Sequence, residues 1–229
     1  MSVLAVLMSD IVGSERQGDV PDLHRRFNAA VDRCNQTFAD DIVSPLTITL
    51  GDEFQGLLGS LVAAMEAART VRLALLEQNI DCRFVVGTVE PATDINPERA
   101  WNMMGPGFAD ARTRLGEKRS ASRYRFSIGS DPLLETMLDA SGASLSVIER
   151  NWSAAQREDI VRLLSGATVA DVAQARGVGI HSIYKVRSAG EYALYLTQWN
   201  AVHRALAELD RRHDLPGADK WRMRFSIPA

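Results

Sequence analysis

Asp10 closes an apolar run, Val3-Leu4-Ala5-Val6-Leu7-Met8, and Asp52 sits with Glu53 at a glycine corner, Leu50-Gly51-Asp52-Glu53-Phe54. Two carboxylates brought to adjacent strand ends can hold one or two Mg²⁺ or Mn²⁺ ions. Such hard cations take oxygen ligands and keep waters that a phosphate can replace. Directly after Asp10 the chain reads Ile11-Val12-Gly13-Ser14, where Gly13 and Ser14 can turn backbone N–H groups towards a triphosphate. Asp52 beside Glu53 is a repulsive arrangement that a bound cation would relieve. A solvated acidic turn is the plainer reading of the same residues.

The elements that must position these groups follow from periodicity. Val3 to Met8 predicts a strand buried on both faces, with Asp10 at its C-terminal edge. Pro21 opens a helix whose apolar face is Leu23, Phe27, Ala30, Val31, Cys34 and Phe38. Asp40-Asp41 and Pro45 break it ahead of a hairpin, with Thr47 to Leu50 alternating as a half-buried strand and Gly51 at the corner. A second helix follows, with Leu61, Met65, Ala68, Val71 and Leu75 inward and Glu66, Arg69 and Arg72 outward. Cys82 to Glu90 predicts a strand, 91–105 a long connection, Gly105 to Leu115 a turn into a helix, Tyr124 to Ile128 a strand, and Asp131 to Leu138 a short helix. The order predicts an α+β fold with a split βαβ plan, in which helices cover one face of a mainly antiparallel sheet.

Asp10-Ile11-Val12-Gly13-Ser14, Leu50-Gly51-Asp52, Val85-Val86-Gly87-Thr88 and Gly105-Pro106 leading to Arg114-Leu115 resemble, in order and spacing, the core of class III nucleotide cyclases. Gly51-Asp52-Glu53-Phe54 also resembles the hairpin of diguanylate cyclases, which share a ferredoxin-like, palm-type sheet. The resemblance implies Asp10, the Ile11 carbonyl and Asp52 as metal ligands, and Gly13 and Ser14 beside phosphates. It also implies catalytic roles for Asp10 and Asp52, and for the helix positions Asp110 and Arg114. The departures are specific. Ile48 stands where adenylate cyclases carry a base-reading lysine. Anchoring on Arg114-Leu115 puts Asp110 at the family's asparagine position, whereas anchoring on Gly105-Pro106 puts Ala109 there and Thr113 at the arginine position. An ionised Asp110 cannot donate to developing negative charge, and losing one such donor typically removes a factor of about 10²–10³ in rate. Nucleotide binding is therefore better supported than cyclisation.

Asp139 to Ser144 is small and polar and reads as linker, placed at 141–150 between a palm domain over 1–140 and a helical domain over 151–210. Ser153 and Thr168 are helix N-caps, Gly166 a helix end, and Val169–Arg176 and Ile180–Ser188 two helices about the turn Gly177-Val178-Gly179. Small Ala173, Gly177 four residues on, and the anchors Ile183 and Val186 form a helix-turn-helix pattern resembling that of sigma factors and related regulators. It turns His181, Ser182, Tyr184, Lys185 and Arg187 towards DNA. A helical hairpin used for packing is the plainer reading. Tyr192, Tyr195, Leu196, Trp199, Val202 and Leu206 predict one apolar stripe on a long helix, suited to core or to a dimer interface. Arg211-Arg212 and Lys220 to Arg224 make the 211–229 tail basic. Taken whole, the chain resembles the SatD family of bacterial proteins.

A net charge of −3 over 229 residues argues against coating nucleic acid by bulk charge, but leaves room for a local basic module. Cys34 and Cys82, the only cysteines, sit in apolar patterns and read as reduced core residues, hence a cytoplasmic protein. No run reaches the roughly 20 apolar residues of a membrane span. The expected function is a DNA-binding transcriptional regulator whose cyclase-like domain binds a metal-nucleotide or related ligand. The alternative is a Mg²⁺-dependent cyclase or nucleotidyl transferase targeted by the helix-turn-helix. By analogy with paired cyclase palms, a homodimer is expected.

Overall fold

The structure is a computed structural model and describes residues 2–16 and 19–220. Five strands form one sheet: β1 (Leu4–Ile11), β2 (Ile42–Ile48), β3 (Glu53–Leu58), β4 (Cys82–Val89) and β5 (Tyr124–Ser127). Their order across the sheet is β2-β3-β1-β4-β5. All neighbours are antiparallel except β4 and β5, which run parallel. The central strand β1 is buried throughout, as its unbroken apolar run requires. Pro45, read as a breaker, instead lies within β2. That is an edge strand with irregular register at this point, where a missing N–H is tolerated.

The helices are α1 (Val20–Thr37), α2 (Leu61–Leu76), α3 (Phe108–Gly116), α4 (Pro132–Asn151), α5 (Ala154–Leu164), α6 (Val169–Arg176), α7 (Ile180–Ala189) and α8 (Tyr192–Arg212). The main core joins Ala5, Leu7, Phe54, Phe84, Val86 and Phe126 of one sheet face to α1, α2, α4 and α8. The other face is not open. Leu4, Val6, Met8, Leu57 and Val85 pack there against Ala100 and Met103 of the long connection and Phe108, Ala111 and Leu115 of α3. Helices on one face alone were expected. The Phe108, Ala111, Leu115 spacing gives α3 an apolar stripe of its own, and that stripe needs the second face.

Three further corrections concern side chains or segments. Arg72, expected outside α2, is fully buried, because α2 is enclosed on nearly every side. The 141–150 segment is not a linker but part of α4, a single helix of 20 residues. Its small residues serve packing. A Cβ on Gly142 would lie 2.3 Å from the Tyr124 carbonyl oxygen, so only glycine lets α4 sit this close to β5. Ser146 Oγ, one turn on, accepts the Arg123 N–H at 2.7 Å. Finally, Tyr195, Trp199, Val202 and Leu206 of α8 are core residues and present no dimer face.

The chain after α8 also returns to the sheet-bearing part. Asp210 accepts the N–H groups of Leu61 at 2.7 Å and Val62 at 3.2 Å, capping α2 from 148 residues away or more. Lys220 pairs with Asp41 at 2.9 Å. Arg211 and Arg212 pair with Glu208 of their own helix. The basic run from Trp221 to Arg224 lies outside the described residues.

Candidate functional site

The end of β1 and the tip of the β2–β3 hairpin are tied together through the backbone. Ile11 N–H donates to the Asp52 carbonyl at 3.0 Å, and Val12 N–H to the Asp81 carbonyl at 2.7 Å. Gly13 (φ 71°) and Gly51 (φ 77°) take the left-handed conformation that lets each turn close tightly. Ser14 Oγ then donates to Asp52 Oδ2 at 2.6 Å. Ile11, Ser14 and Asp52 thus share one cleft of about 490 Å³, completed by Val20, Pro21 and His24 from the start of α1 and by Leu50. The positive end of the α1 dipole favours an anion here. Its cap, Asp19, already takes the Asp22 N–H, and Pro21 has none to offer.

Asp10 is placed differently. It lies beside Glu53 in the β1–β3 register and beside Arg83 in the β1–β4 register. Arg83 Nε stands 2.6 Å from Asp10 Oδ1, and both side chains are buried. Burial pushes the Asp10 carboxyl up to about 6; Arg83 pulls it down, while Glu53 and Asp52 add to the rise. A guanidinium therefore stands where a cation shared with Asp52 would sit, so Asp10 as held offers no open seat for Mg²⁺ or Mn²⁺. Among the described residues, no group of three or more His, Cys, Asp or Glu is arranged to hold a metal ion.

Asp110 and Arg114 are not brought to this cleft. Asp110 lines a separate cavity of about 220 Å³ with Val89, Ser127 and His213. Val89 is at the far end of β4 from Arg83, about 20 Å away at ~3.3 Å per residue. Arg114 is held by Glu135 and by Asp139, the latter at 3.0 Å. Arg83, Arg125 and Gln55 escaped the sequence reading. Gln55 links the two layers on this face, donating to the Ala100 carbonyl and accepting from Arg112 Nη2 at 3.1 Å. The available signal was a charge inside an otherwise apolar strand, as with Arg83 in Cys82-Arg83-Phe84-Val85-Val86.

In the second half, Ser153 and Thr168 each make a reciprocal capping box, and Gly177 (φ 65°) ends α6. Leu163, Val172, Ala173 and Ile183 form a small core of their own. Ile183 alone of α7 is fully enclosed, leaving His181, Ser182, Tyr184 and Lys185 exposed on its outer side. Arg187 is only partly exposed, its guanidinium lying 4.9 Å from the Tyr192 ring centre and 5.8 Å from that of Tyr184.

A family model described as the SatD family matches residues 4–181. The chain belongs to the SatD family. The match takes in the sheet, the Asp52 cleft and the helices as far as the start of α7. No curated protein matches this SatD-family chain. A solved structure of a bacterial light-regulated adenylyl cyclase shares 16% identity with it, over 55% of this chain and 43% of the cyclase chain, at a TM-score of 0.38. The SatD-family chain thus spans less than half the length of that cyclase, and the structural similarity is weak. Among the described residues, no helix is long and apolar enough to cross a membrane.

Proposed function

We propose that this SatD-family protein is a DNA-binding transcriptional regulator, with α7 as the reading helix and the Asp52 cleft as the seat of a regulatory nucleotide. The observation that carries the reading is the presentation of α7. One residue, Ile183, anchors it, and the opposite side offers hydrogen-bonding and cationic groups, His181, Ser182, Tyr184 and Lys185, without a competing carboxylate on the helix. The left-handed Gly177 and buried Ala173 support a helix-turn-helix there. The β2-β3-β1-β4 order supports a ferredoxin-like, palm-type sheet beneath the cleft. Ser14, Asp52 and the start of α1 favour a phosphorylated nucleotide. Mg²⁺ or Mn²⁺ would arrive with its phosphates rather than occupy a preformed carboxylate pair. The alternative, a cyclase or nucleotidyl transferase, needs Asp110 and Arg114 beside Asp10 and Asp52, and these are committed elsewhere in the chain.

Fluorescence anisotropy on genomic DNA fragments selected by the protein tests the first half. The Lys185→Ala/Arg187→Ala double variant is expected to bind at least tenfold more weakly, and unchanged binding would sink the placement of α7. Melting temperature with each nucleoside triphosphate, with and without Mg²⁺, tests the second. A shift that disappears in Asp52→Ala supports the cleft, whereas metal-dependent turnover of a nucleotide would favour the enzyme.

A further inference from the structure

The outward face of α4 carries a stripe that nothing in the chain covers. Leu133, Met137, Ala140, Ser144 and Val147 follow one another at intervals of four, three, four and three residues. That is the spacing of a coiled-coil seam. The buried residues Leu138, Gly142, Leu145, Ser146 and Glu149 occupy the opposite side of the helix, against β5 and α8. The stripe is apolar and open: Leu133 is 73% exposed, Met137 61% and Val147 46%. No charged residue interrupts it over four turns, although a solvated helix face would ordinarily carry several.

We infer that this face pairs with the same face of a second copy of the chain, α4 against α4, antiparallel about Ala140. The inference depends on neither the nucleotide nor the DNA reading. Three features select a second copy as occupant. The stripe is nearly palindromic in size, with large residues at Leu133, Met137 and Val147 around a small centre at Ala140 and Ser144. Antiparallel packing therefore sets Leu133 against Val147 and Met137 against Ser144 of the other copy, and the small centre allows close approach of the axes. The flanking charges are complementary in the same sense. Glu135 and Asp139 near the N-terminal half share one cation, Arg114, while the exposed Arg150 marks the C-terminal end. Antiparallel pairing brings each Arg150 towards the acidic end, Asp131 and Glu135, of the other copy. A two-fold axis also makes the contact close on itself, so the product is a dimer and not a filament.

Sedimentation velocity on the full chain is expected to show a concentration-dependent monomer–dimer equilibrium. Met137→Glu, at an exposed position, is expected to give monomer only, with unchanged circular dichroism and melting temperature. A wild-type chain that stays monomeric throughout, or a dimer that survives Met137→Glu, overturns the proposal. Cross-linking then tests the geometry. Cys34 and Cys82 are buried and leave the surface free of competing thiols. Ala140→Cys is expected to link readily to its own copy under a thiol oxidant. Leu133→Cys is expected not to, because about 21 Å of helix at 1.5 Å per residue separates it from its counterpart; mixed with Val147→Cys, it is expected to link. Self-linking of Leu133→Cys as fast as of Ala140→Cys would mean a parallel or different contact, and would overturn the arrangement.

Discussion

Arg72 Nε lies 2.8 Å from Glu149 Oε2, and neither side chain reaches solvent. The pair joins α2 to α4 at the centre of the molecule. Tyr124 of β5 and Tyr195 of α8 donate to the other carboxylate oxygen at 2.7 and 3.2 Å. Arg72 also reaches Asp81 and the Cys82 carbonyl at the start of β4. Asp81 in turn accepts the Val12 N–H through its carbonyl, so the network runs from the turn below the Asp52 cleft to the helix that leads into α5–α7. Removing one member of a buried pair strands the other's charge, at a cost of about 3–5 kcal/mol. Glu149→Leu is therefore expected to lose about that much in urea unfolding. Arg72→Met/Glu149→Leu is expected to be less damaging than Glu149→Leu alone, and a double variant that is no better would show that the charges themselves are not what matters.

Asp210 predicts a pH dependence. Burial pushes its carboxyl up to about 6, against the lowering effect of the Leu61 and Val62 N–H groups. The folded state then holds this proton more tightly than the unfolded chain does. Between the ordinary carboxylate range and pH 6 the folded state binds more protons, so this group's contribution falls as pH rises. Asp10, raised to the same level, works in the same direction. Relative to Asp210→Asn, the wild type is expected to lose on the order of 3 kcal/mol between pH 4 and pH 7. Urea midpoints of the two proteins across that range measure it, and a difference that stays constant with pH would refute it.

Gly142 gives a sharper steric test. Its missing side chain faces the Tyr124 backbone, which cannot rotate away as a flexible side chain would. Gly142→Ala would ordinarily stabilise a helix by roughly 0.5–1 kcal/mol. Here it is expected to destabilise, by about 1–3 kcal/mol of overpacking, in chemical unfolding. A neutral or stabilising result would mean that α4 stands further from β5.

Gly142 also shows where sequence reading stops. Ser141-Gly142-Ala143-Ser144 has the composition of a linker, and only the sheet beside it reveals that smallness is a packing demand. Local chemistry was legible. Ser153, Thr168 and Gly177 act at α5 and α6 as their types require, and Gly13, Ser14 and Asp52 do meet at one strand edge. Partnerships set by tertiary distance were not legible. Arg83 beside Asp10, Arg72 against Glu149 and Asp210 capping α2 depend on which faces the fold brings together, and no local period encodes that.

The small cluster of Leu163, Val172, Ala173 and Ile183 makes α5–α7 a unit whose stability can be lowered separately. Ala173 is buried between α6 and α7, so a larger side chain must push α7 away. Ala173→Leu is expected to cost about 1–3 kcal/mol by overpacking. Most of that should appear as local opening, because the sheet and its helices keep a separate core. Hydrogen exchange should therefore quicken at amides of α6 and α7 while those of β1 and β4 keep their protection. If α7 reads DNA, the same variant should bind more weakly although His181, Ser182, Tyr184 and Lys185 are all still present. Lys185→Ala should instead leave exchange unchanged and lower the slope of log affinity against log salt by about 1. Loss of exchange protection without loss of binding would separate the fold of this unit from DNA recognition.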